Sequence, residues 1–222
     1  MSIKKVFITG ASRGIGKAIA ERYHDEGYEL ITPSRSELDL SSINSITKFL
    51  SRFPMQVDVL VNNAGQNIIK NISDITLDNW QTTLSVNLTA PFLFFQQACQ
   101  FMIKNNWGRV VNISSIYSLI SREGRAAYSA SKAGLNGYTR TAALEYAKHG
   151  ILVNSVCPGF VDTDLTRQNN SPEQIQELVS QVPLKKLGSP EDIAGFVYFL
   201  GSEQNNFITG QIIPIDGGFT SS

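Results

Sequence analysis

Only two cysteines, Cys99 and Cys157, stand among the 222 residues, both in apolar settings. That scarcity argues against a disulfide scaffold and for buried thiols in a reducing compartment. An excess of either charge is also lacking: 19 Lys and Arg balance 19 Asp and Glu, for a formal net charge of +0 and a pI of about 6.7. Nucleic-acid binders usually carry a basic excess, so no nucleic-acid partner is expected. Long apolar runs are missing, none approaching the roughly 18 residues of a membrane span. The opening MSIKKVFITG has two lysines but few apolar residues before Thr9 and Gly10, unlike the apolar core of a signal peptide. Together these absences predict a cytoplasmic protein with no membrane partner. Internal repeats, low-complexity tracts and linkers are absent too, and no metal site is expected. With 42% apolar and 17% charged residues, residues 1–222 read as one domain around one well-buried core.

What the chain does contain is a rhythm. Short apolar runs at residues 5–9, 57–62, 109–114 and 151–157 are each followed by segments of helical period: 15–25, 76–104, 126–149, then 172–182 and 190–201. A last run covers 211–215. Apolar runs alternating with helices predict parallel βαβ units, whose strands are covered on both faces. The expected fold is α/β, a Rossmann-type doubly wound parallel sheet of about six to seven strands flanked by helices on both faces. One stretch breaks the rhythm. After the second strand candidate, residues 28–32, only a few residues separate Arg35 from Leu38-Asp39-Leu40, whereas a parallel crossover needs a dozen or more. The third strand is therefore shortened: residues 38–40 form a stub on the sheet edge or stay unpaired.

The first βα junction, FITGASRGIGKAIAERY, packs Gly10, Gly14 and Gly16 around Arg13. A glycine turn of this kind lets backbone N–H groups and the positive end of a helix approach a pyrophosphate. Its spacing is not the G-x-G-x-x-G of the better-known fingerprint, and a tight turn alone could account for it. The second strand should end in a carboxylate for a free ribose 2′-OH, or near an arginine for a 2′-phosphate. Here it ends in Ser34-Arg35, with no carboxylate before Glu37. Singly, Arg35 reads as a solvated edge residue and Arg13 as a surface charge. Together on one lip of the cleft, two guanidinium forks suit a phosphate dianion, and NADP(H) is expected over NAD(H).

Tyr128-Ser-Ala-Ser-Lys132 places a phenol and an ammonium four residues apart on one face of a helix. A phenol of ordinary pKa about 10 gives up its proton more readily beside a cation. The strand at 109–114 delivers Ser114 and Ser115 to the carboxyl end of the sheet, where open α/β folds bind ligands. Ser115 could hold a carbonyl oxygen within proton range of Tyr128 and hydride range of a nicotinamide. The same residues could instead finish a strand, pack a ring on the core and solvate a helix.

Taken together, residues 9–16, Asn62-Asn63-Ala64-Gly65, Asn87, Ser115, Tyr128 with Lys132, and Pro158-Gly159 resemble the short-chain dehydrogenase/reductases. The tail GQIIPIDGG is similar to that of 3-oxoacyl-[acyl-carrier-protein] reductases. The resemblance runs from Lys5 to Gly218. It implies a catalytic set of Asn87, Ser115, Tyr128 and Lys132, with Asn87 kinking the helix from 76 and completing a proton relay. It implies cofactor contacts at Gly10, Ser12, Arg13, Gly14, Ile15, Gly16, Ser34, Arg35, Asp39, Leu40, Asn63, Ala64, Gly65, Tyr128, Lys132, Pro158, Gly159, Val161 and Thr163. Asn62 would brace the central sheet, Asp39-Leu40 would edge the adenine, and residues 162–188 would form a substrate lid. The implied reaction is NADPH-dependent reduction of a ketone to a secondary alcohol, with Tyr128 as proton donor and a 3-oxoacyl thioester as substrate. The alternatives are a sugar, polyol or cyclic-alcohol dehydrogenase and a non-catalytic NADP-sensing module. The substrate is a small carbonyl or alcohol, free or carrier-bound. Assembly as a homotetramer or homodimer through the helices at 76–104 and 126–149 is implied by resemblance alone.

Overall fold

The computed structural model describes residues 3–221, except the side chains of Leu165 and Asn169. Met1, Ser2 and Ser222, the ends of the expected domain, lie outside the described residues. Six strands form one parallel sheet: β1 (Lys5–Ile8), β2 (Glu29–Ile31), β3 (Val59–Asn62), β4 (Gly108–Ile113), β5 (Ile151–Pro158) and β6 (Ile212–Ile215). They lie in the order β2-β1-β3-β4-β5-β6. The connecting helices are α1 (Gly14–Asp25), α2 (Ile43–Arg52), α3 (Leu77–Leu84), α4 (Ala90–Asn105), α5 (Ala126–Tyr146), α6 (Asp164–Asn169), α7 (Pro172–Gln181) and α8 (Pro190–Gly201).

Alternation along the strands sorts the core into two layers. Val6, Ile8, Val59, Val61, Val111 and Ile113 point to one face, where they meet Ile19 and Tyr23 of α1 and Val197 of α8. Phe7, Leu60 and Val110 point to the other, against Ile46 of α2, Phe94 and Met102 of α4, and Ala142 of α5. Strands β3 and β4 are buried along their whole length, which is why their sequences are apolar runs rather than alternating ones.

The shortened third strand is not a strand at all. Leu38 N–H returns to the Ser34 carbonyl at 3.0 Å, and Ser42 N–H to the Asp39 carbonyl at 3.2 Å, closing two turns in place of a ladder. Leu38 is only 5% exposed and packs into the α2 and α4 layer, so its burial stabilises the turn without pairing. β2 becomes the sheet edge, and the loop that follows residue 158 leaves the fifth strand of this chain. Helix α2 was not announced by the rhythm. Ser42 caps it by accepting from Ser45 N–H at 3.2 Å, and Ile46 and Phe49 pack inward.

The helix expected from residue 76 is broken in the middle. Between α3 and α4, residues Ser85–Thr89 form a π turn. Pro91 explains it: proline has no N–H to return to the Asn87 carbonyl four residues earlier, and its ring crowds that carbonyl. The widened turn buries the Asn87 side chain inside the molecule.

Candidate active site

Strands β1 and β3 flank the point where strand order reverses, the place where open α/β sheets bind ligands. A cleft of about 670 Å³ opens there, lined by residues 9–16, 32–35, 38–41 and 63–66 with Val86, Thr163 and Asp164. It brings together Gly10, Ser12, Arg13, Gly14, Ile15, Gly16, Ser34, Arg35, Asp39, Leu40, Asn63, Ala64, Gly65 and Thr163. The loops are fastened to each other by Thr9, whose hydroxyl accepts from Asn63 N–H at 3.1 Å and Ala64 N–H at 3.0 Å. Asn63 Nδ2 donates back to the carbonyls of Thr9 and Gly10 at 3.0 and 3.1 Å.

The glycines do more than clear an approach for a ligand. A Cβ on Gly16 would lie 2.1 Å from the Gly10 carbonyl oxygen, so bare backbone there lets α1 close onto the turn. Gly10, at φ +69°, takes a conformation that favours glycine. The N-terminus of α1 faces the cleft with no side-chain cap, leaving its amide groups to a ligand. Arg13 and Arg35 are exposed and have no ion-pair partner among the described residues. This cradle fits a pyrophosphate and a further phosphate on its rim. Ser34 is the exception: its N–H and hydroxyl both donate to Glu37 Oε2, at 2.8 and 2.7 Å, and are engaged within the turn. Asp39 is held by Ser41, whose N–H and hydroxyl donate to it at 3.0 and 2.7 Å and keep its carboxyl below the usual range.

Beyond Gly65 the cleft gives way to a buried polar cluster. A Cβ on Gly65 would come within 3.6 Å of Lys132 Nζ and 3.7 Å of Asn87 Oδ1. Asn87 Nδ2 donates to the Gln66 carbonyl and to Ser131 Oγ, both at 2.9 Å, while Asn87 Oδ1 accepts from Gln66 N–H at 2.8 Å. Lys132 is 3% exposed and its Nζ donates to the Ile113 carbonyl at the end of β4 at 2.6 Å. Ser115 follows on the same strand end, its Oγ accepting from Tyr117 N–H at 3.1 Å, and it acts to lower the pKa of the Tyr128 hydroxyl. Beneath lies a buried chain: Asn62 Nδ2 to Asn112 Oδ1 at 2.8 Å, Asn112 Nδ2 to Thr139 Oγ1 at 2.9 Å, and Thr139 to Ser155 at 2.8 Å. It ties β3, β4, β5 and α5 together under the site.

The electrostatics depart from one expectation. Lys132 Nζ sits 5.8 Å from the Tyr128 ring centroid, directed at a backbone carbonyl. Burial raises the Tyr128 pKa above its ordinary value, opposed by Ser115 and the Arg125 charge. Tyr128 is therefore not acidified as expected: desolvation dominates, and the groups that oppose it are Ser115 and Arg125 and not Lys132. The same burial lowers the Lys132 pKa to about 8.

Pro158, Gly159 and Val161 lie outside the cleft lining, on the strand end and loop after β5. Val161 pairs with Gly188 in a short parallel bridge, with Asp162 N–H to the Gly188 carbonyl at 2.8 Å. The bridge closes the base of residues 162–188, which fold as α6 and α7 and bring Thr163 to the cleft. Sequence reasoning missed Gln66 and Ser131, which position Asn87, and Arg125, which stands beside Tyr128. Gln66 acts through backbone groups that no side-chain motif betrays. Arg125 could have been suspected as a cation three residues before the tyrosine.

A family model described as "Enoyl-(Acyl carrier protein) reductase" matches residues 37–220, and one described as "short chain dehydrogenase" matches residues 4–48. A 3-oxoacyl-[acyl-carrier-protein] reductase FabG of Aquifex aeolicus is 39% identical, over 97% of this chain and 96% of the relative. Among solved structures, 4-hydroxyisoleucine dehydrogenase complexed with NADH superposes with a TM-score of 0.93 at 30% identity, covering 99% of each chain. ElxO with NADP bound gives 0.89 at 30% identity, covering 100% of each chain. Among the described residues no helix is long and apolar enough to cross a membrane, and no group of acidic, His or Cys side chains could hold a metal.

Proposed function

The chain belongs to the short-chain dehydrogenase/reductases, and from that premise we propose that it is an NADP(H)-dependent reductase of 3-oxoacyl thioesters. The observation that carries the reading is the convergence of Ser115, Tyr128, Lys132 and Asn87 at the carboxyl end of β4, next to the glycine cleft. The uncapped start of α1 and the loops of Gly10, Asn63, Ala64 and Gly65 would hold the pyrophosphate and ribose. Arg13 and Arg35 would hold a 2′-phosphate. When bound, NADPH supplies the hydride that reduces the ketone carbon.

The chain's own residues do the rest. Ser115 donates a hydrogen bond to the ketone oxygen and fixes its position against Tyr128. Tyr128 delivers its proton to that oxygen as the carbon is reduced. Burial raises its pKa, so the phenol stays protonated in the resting site and is a donor rather than a base. Lys132, with a pKa of about 8, carries most of its positive charge at neutral pH and stabilises the phenolate left behind. Asn87, fixed by Gln66 and Ser131, holds the polar path beside Lys132 through which the proton is restored. Residues 162–188 act as the substrate lid, excluding water on closure.

The same reading takes residues 1–222 as one catalytic domain in the cytoplasm, where the two free buried thiols are compatible with reducing conditions. It takes the assembly to be a homotetramer or homodimer through α4 and α5, on which Phe92 (44% exposed) and Leu144 (83%) present apolar surface. The test is an NADPH-oxidation screen over acetoacetyl thioesters, ketoses and cyclic ketones. Preferential turnover of the thioesters is expected. Preference for ketoses or cyclic ketones would move the substrate to the polyol class, and no turnover of any carbonyl would leave an NADP-sensing module.

A further inference from the structure

Three arginines in this fold show what an arginine normally finds. Arg109 is buried and its guanidinium is spent on carbonyls: Nε on Ser202 and Asn205, Nη1 on Gly108 and Gly150, Nη2 on Asn205. Arg167 forks onto Asp162 at 2.7 and 2.5 Å. Arg22 pairs with Glu26 one helical turn away at 2.7 Å.

Arg125 has none of this. It is half-buried at the start of α5, three residues before Tyr128. Its Nε is buried and has no hydrogen-bond partner among the described residues, and its side chain makes no ion pair there. The guanidinium carbon lies 5.5 Å from the ring centroid of Tyr117, a buried residue in the turn that follows Ser115. The stack orients a fork of donors without satisfying any of them, because a ring face attracts the cation but accepts no in-plane hydrogen bond. Tyr117 N–H in turn donates to Ser115 Oγ at 3.1 Å, so the stack sets the guanidinium one residue contact away from Ser115 and three residues before Tyr128 on the chain. Nor is it loosely placed. Lys70 N–H donates to the Gly124 carbonyl at 3.1 Å and Ser129 N–H to the Arg125 carbonyl at 2.7 Å, pinning the backbone from two sides. Aliphatic side chains stand exposed nearby in the chain, Leu119 and Ile120 after Tyr117 and Ile69, whose methyl is 3.0 Å from where a Gly124 Cβ would stand, alongside the exposed charges of Arg122 and Glu123.

A backbone-pinned cation with unused donors, stacked on a ring one contact from Ser115, is built to receive an oxygen. We infer that Arg125 is a specificity-determining residue that binds a second, carboxyl-derived oxygen function of the substrate, beside the ketone held by Ser115 and Tyr128. The inference rests on the reading of Tyr128 as proton donor and deepens it by naming the class of substrate. The shared chemistry has two sources: the carbonyl oxygen of an oxoacyl thioester and the carboxylate of a free oxo acid. A carboxylate would take the planar fork at two oxygens, a thioester only at one.

The test is binding, measured by calorimetry on the protein saturated with NADP⁺, for three probes that share a ketone: acetoacetate, its N-acetylcysteamine thioester and pentan-2-one. Wild type is expected to bind the first two more tightly than pentan-2-one. In Arg125→Met the dissociation constant should rise at least tenfold for acetoacetate and severalfold for the thioester, and stay within twofold for pentan-2-one. Arg125→Lys, which keeps the charge, should recover part of the loss. The larger of the two losses identifies the natural source of the oxygen. Equal losses on all three probes, no loss on either carboxyl-derived probe, or a wild type that does not prefer them would overturn the assignment. Turnover with NADPH in parallel separates the two readings: a wild type that binds in this pattern but reduces nothing sinks the role of Tyr128 and leaves that of Arg125.

Discussion

At one end of the cleft Arg13 and Arg35 stand exposed on turns, with no ion-pair partner among the described residues; at the other, Asn87, Ser115, Ser131 and Lys132 are buried and tied to backbone N–H and carbonyl groups or to one another. The first end is made almost wholly of backbone, two glycine-bearing loops laced by Thr9 and Asn63, and its side-chain charges are left for whatever binds. The second is made of side chains whose partners come from the loop after β3, the π turn, the end of β4 and α5. The difference matches two demands. Holding a phosphate requires donors that can be met from solvent, whereas moving a proton requires groups whose protonation is set by a dry surround.

If that division is right, the largest effect belongs to the buried end. Tyr128→Phe removes the proton donor while keeping the ring, and should lower kcat by about 10²–10⁴-fold, with the melting temperature and NADPH affinity little changed. Near-normal turnover with the preferred ketone would end the assignment. At the other end Gly16→Ala forces a methyl to within 2.1 Å of the Gly10 carbonyl, a contact only backbone movement can relieve. The dissociation constant for NADPH should rise more than tenfold, because the turn that aims the amide groups is displaced. Fluorescence titration with NADPH would show it, and an unchanged affinity would mean the turn is not a phosphate cradle.

The two ends were not equally legible. The glycine turn, the strand ends and the Tyr128 and Lys132 pair are carried by local spacing, and the structure brings them together at the carboxyl end of the sheet. The sheet was readable wherever a strand is buried on both faces, as in β3 and β4, because burial imposes a continuous apolar run. It was ambiguous at its edge. Residues 38–40 have the composition of a strand because Leu38 fills the core from a turn, which requires the same apolar residue as a ladder would. Helix α2 carried its cap and its apolar period in plain view, yet followed no apolar run and so fell outside the βα rhythm. The partners of Asn87 were hidden for a different reason: Gln66 contributes backbone N–H and carbonyl, and which backbone meets a given asparagine is decided by the fold alone.

The exposed end can be sharpened through its charges. Replacing Arg13 and Arg35 together by Gln should cut the preference for NADPH over NADH by about two orders of magnitude, since each charge-assisted contact is worth roughly 1.5–3 kcal/mol and screening by solvent discounts it. The ratio of kcat/KM values for the two cofactors is the measure. An unchanged ratio would show that the two guanidiniums stand clear of the 2′-position, and that the difference between the ends is one of exposure and not of charge.

The smallest effect tests what burial does to Lys132. Folding lowers its pKa from an ordinary value near 10.5 to about 8. Below about pH 8 both the folded and the unfolded chain hold the proton, and the penalty of burying an ammonium is constant. Between there and pH 10.5 the unfolded chain keeps a proton that the folded chain has released, so this group makes stability rise with pH, by at most about 1.4 kcal/mol per unit. Other groups titrate in the same range, Cys99 among them with its pKa raised by burial, so the quantity to measure is the difference between wild type and Lys132→Met, which cancels them. Denaturant unfolding at pH 7.5 and pH 9 should show wild type gaining on Lys132→Met by about 1 kcal/mol. A difference that does not change with pH would mean that Lys132 keeps its proton throughout, and that the polar cluster of Asn87, Gln66 and the Ile113 carbonyl solvates the ammonium as well as water does.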